Sequence, residues 1–369
     1  MRCCLVVALL AGCGGGWLTD AKVVVDGDHA ASTDCRTQIC RHNENTDLAS
    51  YDGATYLVHR TALSQILGPN SSLLVSRSDD HGRSWRRLAV IPALAGRDLR
   101  DPSFYRIGDK LAIKALTRLQ VTSLRDSRVD TVAVASVSAD AGQTWSPLAP
   151  IGPPTWSFWR IRDDAAGVHY TAAYEDGDKS VALFASSDGT RWSQRATIYG
   201  RAEDTPLETE LVFMPSGKLL ALVRMDGSNL ELFGNAGRLR TKVCWASPPF
   251  TDWDCSRELR GVRLDGPVAF FHGARLFVIA RKHFIEPEER KRTALYELTG
   301  DLDGGELAIA ERGELPSAGD TAYAGVAPID RDRYLVTWYS SPVAADDPWI
   351  LGALGPTDIW QATLDMSQL

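Results

Sequence analysis

The stretch Ser78-Asp79-Asp80-His81-Gly82-Arg83-Ser84-Trp85 constrains this chain most, because its pattern S-x-D-x-G-x-[S/T]-W returns at Ser138, Asp140, Gly142, Thr144 and Trp145. A shortened copy stands at Ser186, Asp188, Gly189 and Trp192, and a worn one at Ser247, Asp252 and Trp253. The residue types describe a hairpin turn: Ser and Asp side chains bond nearby backbone amides, Gly supplies positive φ, and Trp folds beneath as an apolar plug. A turn that returns along a chain implies a structural unit that returns with it.

A short apolar or β-branched strand precedes each turn, and such strands persist where the turn has decayed: residues 73–78, 132–138, 181–186, 241–247, 293–298 and 357–364. They recur at intervals of roughly 50 to 60 residues, the spacing of propeller blades with several strands each. The expected fold is an all-β, six-bladed β-propeller with four-stranded antiparallel blades, a single domain over residues 34–369. The last blade shows only three strands, so residues 22–25 are expected to supply its outer strand and close the ring. No helical period is evident, and the loops 226–240 and 342–355 are expected to lie over one face.

Propeller geometry then sorts the side chains. First strands start, and second strands end, on one face; the repeated turns join third to fourth strands and fall on the other. The functional face should therefore gather Arg60, Arg224, Arg281 and Tyr339 from second strands, with Glu44, Arg100-Asp101, Trp159-Arg160, Glu208, Asp265 and Tyr323 from first strands. Arginine forks converging on one axis suit a carboxylate or sulfate ligand. The competing use of each is an ion pair between blades.

A net charge of −7 and a pI near 5.6 argue against a nucleic-acid surface, and beyond the N-terminus no apolar run is long enough to span a bilayer. The N-terminus carries Arg2, an apolar run over residues 3–11 and then Gly12-Cys13, the plan of a secretory signal. Leu10-Ala11-Gly12-Cys13 resembles the bacterial lipobox. That resemblance implies a lipoprotein signal peptide over residues 1–12, lipid on Cys13, a tether within residues 13–33, and an exported protein held at the outer membrane or cell surface by its lipid alone. Of seven cysteines, Cys35, Cys40, Cys244 and Cys255 lie beyond this leader, enough for two disulfides in an oxidising compartment. Three pairings exist; Cys35 with Cys40 and Cys244 with Cys255 is favoured, because the second pair brackets the worn turn.

On these motifs the chain resembles the sialidase (neuraminidase) superfamily, whose hallmark is the repeated Asp-box, or BNR repeat. The spacing of Glu208 and Arg224, with Gly217 between, is similar to the sialidase segment holding the catalytic Glu and the second Arg of the carboxylate-binding triad. Tyr323-Ala324-Gly325 is placed like the nucleophilic Tyr. The resemblance implies a Tyr323/Glu208 nucleophile pair: a neutral phenol, activated by a carboxylate, attacks an anionic sugar that would repel a carboxylate nucleophile. The chain departs from the family where Arg41-His42-Asn43-Glu44 replaces the F/Y-R-I-P motif, and where the loop 61–72 lacks the expected acid. Arg60, Arg100 or Arg160 is then a candidate for the first triad Arg, Asp101 or Asp47 for the proton donor, and Arg281 or Arg290 for the third Arg. The segments around Arg100, Arg160, Glu208, Arg281 and Tyr323 look closer to exported, mostly uncharacterised sialidase-like bacterial proteins.

The leading reading is a surface-anchored exo-glycoside hydrolase acting on a terminal acidic sugar, with a glycan or glycoconjugate as partner. Its rivals are a non-catalytic glycan-binding propeller and a structural propeller whose arginines are inter-blade ion pairs. The expected protein is a monomer without cofactor. No metal site is signalled, since the histidines are scattered and no Cys or His pair has ligand spacing.

Overall fold

The computed structural model describes residues 16–66, 71–119, 130–175, 179–226, 239–284 and 289–369. The leader with Cys13, and parts of the loops 61–72 and 226–240, lie outside the described residues. Six four-stranded antiparallel sheets stand around one axis. Their first strands are His42–Tyr51, Arg97–Ile107, Trp156–Asp163, Pro206–Phe213, Asp265–His272 and Thr321–Pro328. The ring closes through Leu18–Val25, which pairs antiparallel with Asp358–Asp365 as the outer strand of blade six, Lys22 opposite Gln361. This strand begins earlier than the apolar pattern at 22–25 suggests, because its exposed residues, Thr19 to Val23, need only edge hydrogen bonds and not burial.

Side-chain alternation sends apolar residues into the gaps between blades, where they form six clusters, one for each junction. Between blades one and two, for example, Tyr56, Val58 and Val75 meet Phe104, Ile113 and Val134. The turns fasten the same junctions from below. Within one turn, Ser138 Oγ donates to Asp140 while accepting from Gly142 N at 2.8 Å, and Thr144 donates from both N and Oγ1 to Asp140. Gly142, φ 82°, lets this turn lie against Tyr56 of blade one, whose hydroxyl donates to Ala141 O at 3.0 Å. Gly189 sits likewise on Tyr105 of blade two.

Cys35 is bonded to Cys40, and Cys244 to Cys255 across the last two strands of blade four. One element departs from expectation. The loop 342–355 contains a helix, Trp349–Leu354. Six residues are too few to print a period in sequence, and packing against Asp320 and Ser341 holds them.

Candidate active site

A bulge recurs in every blade and shapes the mouth opposite the turns. Pairing between first and second strands slips after Glu44, Arg100, Phe158, Pro206, Asp265 and Ala322, each time near the start of the first strand. A bulge bends its strand and re-aims a side chain. At three of them Asn45, Asp101 and Tyr323 take left-handed backbone, φ 54°, 48° and 50°. Such a residue costs on the order of 1–3 kcal/mol and persists only where its surroundings hold it. Blade five has Gly266 there instead, φ 57°, and a Cβ would come within 2.7 Å of the Tyr323 ring. Glycine is what lets the two blades approach.

Tyr323 Oη donates to Glu208 Oε1 at 2.6 Å. Arg224 Nη1 donates to Glu208 Oε2 at 2.5 Å and stands 3.5 Å from Tyr323 Oη. Glu208 and Arg224 meet because they lie at the paired ends of adjoining strands, Pro206 opposite Met225. The Arg281 guanidinium lies 5.4 Å from the centre of the Tyr323 ring, and Trp159 meets that ring edge-on at 5.7 Å. Asp101 is close enough for its charge to act on both Glu208 and Tyr323. Tyr323 is 8% exposed, Glu208 and Arg224 6%.

Burial dominates the protonation of this group. It raises the Glu208 carboxyl above its ordinary range; Arg224 opposes this, while Asp265 and Asp101 add to it. It raises Asp101 as well, against the pull of Lys114 and Arg100. Burial and the Glu208 charge push the Tyr323 phenol well up. The phenol is thus neutral at rest beside a carboxylate of heightened basicity, and Asp101 is inclined to keep a proton. Asp265 is the contrast: burial opposes its ionisation, but Arg224, Arg263 and His283 prevail and hold it well below the carboxylate range.

Of the residues singled out in sequence, Tyr323, Glu208, Asp101, Arg224 and Arg281 come together. Arg290 stands apart, 3.7 Å from Asp346. Arg60 and Arg100 form an adjoining cluster, Arg60 between Glu44 and Asp98, and Arg100 Nε on Asp98 at 2.7 Å. Arg160 turns instead to Asp47, Thr46 O and Ala324 O. Asp47 is thereby engaged, its other oxygen accepting from Phe104 N at 2.8 Å.

The expected open forks are not what the mouth contains. Arg224 also holds Asp226 at 2.8 Å and Asp265 at 3.2 Å, and Arg281 donates to Asp320 at 3.0 Å and Tyr339 Oη at 2.9 Å. A guanidinium nearly out of water needs a partner, and neighbouring strands supply carboxylates. Asp226, Arg263 and Asp320 were not picked out as site residues in sequence. A signal for the first two exists: in Arg224-x-Asp226 and Arg263-x-Asp265, opposite charges two apart on extended chain share a face.

No protein-family profile matches the chain, and no curated protein matches its sequence. Solved structures do match its fold. The Trypanosoma rangeli sialidase superposes with a TM-score of 0.66 at 13% identity, over 95% of this chain and 60% of that one. The intramolecular trans-sialidase of Ruminococcus gnavus gives 0.66 at 10% identity over 94% and 99%. A Dyadobacter fermentans protein of unknown function gives 0.65 at 15% identity over 94% and 99%. The fold is that of a sialidase-like six-bladed propeller.

Proposed function

We propose that the protein is an exo-acting glycoside hydrolase of sialidase type, cleaving a terminal acidic sugar from a glycan or glycoconjugate, and tethered at the cell surface through Cys13. The 2.6 Å hydrogen bond from Tyr323 Oη to Glu208 carries this reading. Glu208 takes the phenolic proton as Tyr323 Oη attacks the anomeric carbon; the bond to the leaving oxygen breaks, and Asp101 gives that oxygen its proton. Asp101, now ionised, takes a proton from water, whose oxygen attacks the same carbon and displaces Tyr323, which regains its proton from Glu208. Arg224 touches both partners of the first transfer and steadies the charge as it moves between them.

The engaged arginine forks favour a second reading, a glycan-binding propeller without turnover, because a sugar carboxylate would have to displace Asp226 or Asp320 to be gripped bidentately. A panel of chromogenic acidic glycosides with purified protein separates the two. The hydrolase reading expects release of the chromophore, lost by at least about a thousandfold in Tyr323→Phe while ligand affinity stays within about twofold. Glycan binding with no release, unaffected by Tyr323→Phe, leaves the second reading standing.

A further inference from the structure

A second polar cluster sits where blade six meets blade one, and one nitrogen and two carboxylate oxygens converge in it. His42 opens the first strand of blade one, Glu44 follows on the same strand, and Asp320 precedes the first strand of blade six. His42 Nδ1 lies 2.9 Å from Gly355 O, which can only accept, so Nδ1 carries a proton and Nε2 of the neutral ring presents a lone pair. That Nε2 is 3.3 Å from Glu44 Oε2 and 3.9 Å from Asp320 Oδ2, and all three atoms lie within 4.8 Å of one another. Donors elsewhere orient each carboxylate by its far oxygen: Arg60 on Glu44 Oε1, and Arg281, Tyr339 and Trp349 on Asp320 Oδ1 at 3.0, 2.9 and 3.0 Å. Asp320 Oδ2 is left buried without a hydrogen-bond partner among the described residues, in a residue 0% exposed.

We infer that His42 Nε2, Glu44 Oε2 and Asp320 Oδ2 bind one divalent transition-metal ion, zinc by donor type, which latches the first blade to the last. Tetrahedral zinc, with bonds of about 2.0–2.1 Å, sets its donors about 3.3 Å apart. The His42–Glu44 pair already has that span, and Asp320 Oδ2, 3.9 Å from His42 Nε2 and within 4.8 Å of Glu44 Oε2, has to move in towards both. One imidazole with two carboxylates suits zinc better than magnesium or calcium, which favour oxygen alone. A tautomer fixed by a backbone carbonyl and carboxylates oriented from behind are the outer contacts that metal ligands ordinarily have. The latch bears on the mouth too, because Asp320 holds Tyr339, whose ring packs on Tyr323 at 6.0 Å. The other filler is a proton on Nε2, which would make His42 an imidazolium between two carboxylates.

The full chain, stripped with a chelator and folded by circular dichroism, is titrated with zinc in a calorimeter and with cobalt(II), whose visible absorption reports tetrahedral coordination. One equivalent should bind, tetrahedral cobalt bands should appear, and zinc should raise Tm. His42→Ala should weaken zinc at least about a hundredfold. The combined Cys3→Ser, Cys4→Ser and Cys13→Ser variant should keep the site, which excludes leader thiols as its source. Folded wild type that takes up no zinc overturns the proposal in favour of the proton, and uptake that survives His42→Ala overturns it by placing the zinc elsewhere. Should His42→Ala not fold, Asp320→Asn serves the same comparison, and unchanged zinc affinity there overturns it equally.

Discussion

Asp140 and Asp265 are both ionised aspartates serving a propeller, on opposite faces, and they draw on different parts of the chain. The partners of Asp140 all lie between Ser138 and Thr144, and hydrogen bonds from Thr144, then Ser138, hold its pKa down to about 2 at a half-exposed position on the surface. Asp265 is fully buried, and its charge is sustained by Arg224, Arg263 and His283, brought by different strands and loops. The turn face is built from local pieces that any one blade can make. The mouth exists only when the ring is closed, since its charges have no water to fall back on.

The sharpest way to break this contrast is at rate level, where Tyr323→Phe should cost at least about a thousandfold in turnover; no substitution at a repeated turn should approach that. Asp265→Asn comes next. It leaves Arg263 and Arg224 short of a buried counter-charge and should lower unfolding free energy by about 3–5 kcal/mol in a denaturant titration. If Asp140→Asn costs as much, the two faces are not energetically distinct.

The acid limb of stability sharpens the comparison further. In the metal-free protein, with a proton on His42 Nε2, burial works against ionised Glu44, but the Arg60 guanidinium, then His42 and Arg100, overcome it and hold its pKa at about 2, below the ordinary 4.5. A folded pKa below the unfolded one stabilises above about pH 4.5, and that contribution, at most about 3 kcal/mol, is lost as pH falls towards 2. Asp101 and Glu208 act in the opposite sense: raised by burial, they favour the fold at low pH and lose that advantage as pH climbs through their raised values. Unfolding midpoints of wild type and Glu44→Gln, followed against pH, should converge in that acid window; parallel curves would remove the assignment.

Two smaller effects concern elements near the turns. Replacing Cys244 and Cys255 together by Ser opens a loop with a sequence separation of 11 and should cost about 3 kcal/mol, read by denaturant unfolding with and without reductant. Gly142→Ala forces a Cβ to within 3.1 Å of Tyr56 at φ 82° and should cost about 1–2 kcal/mol. A loss below the error of the measurement would mean the turn shifts freely, and the blade junction does not depend on it.

Blade count, strand positions and the face that carries each side chain were legible in the sequence, because they follow from a repeated turn and from alternation along extended chain, both local properties. Strand phase alone brought Glu208, Arg224, Arg281 and Tyr323 to one mouth. What the mouth does with them was settled only by closure of the ring. The bulges that turn Tyr323 and Asp101 inward leave no mark in composition, since Tyr, Asp and Gly all occupy the same left-handed position in different blades. Beyond the Arg224-x-Asp226 pair, the partners of these arginines belong to other strands, so Arg160 fell to Asp47 and Arg224 to Asp265 by distances no spacing encodes. His42, Glu44 and Asp320 meet for the same reason. Charge pairing in a buried ring depends on which strands stand side by side, and that is decided by packing between blades rather than by order along the chain.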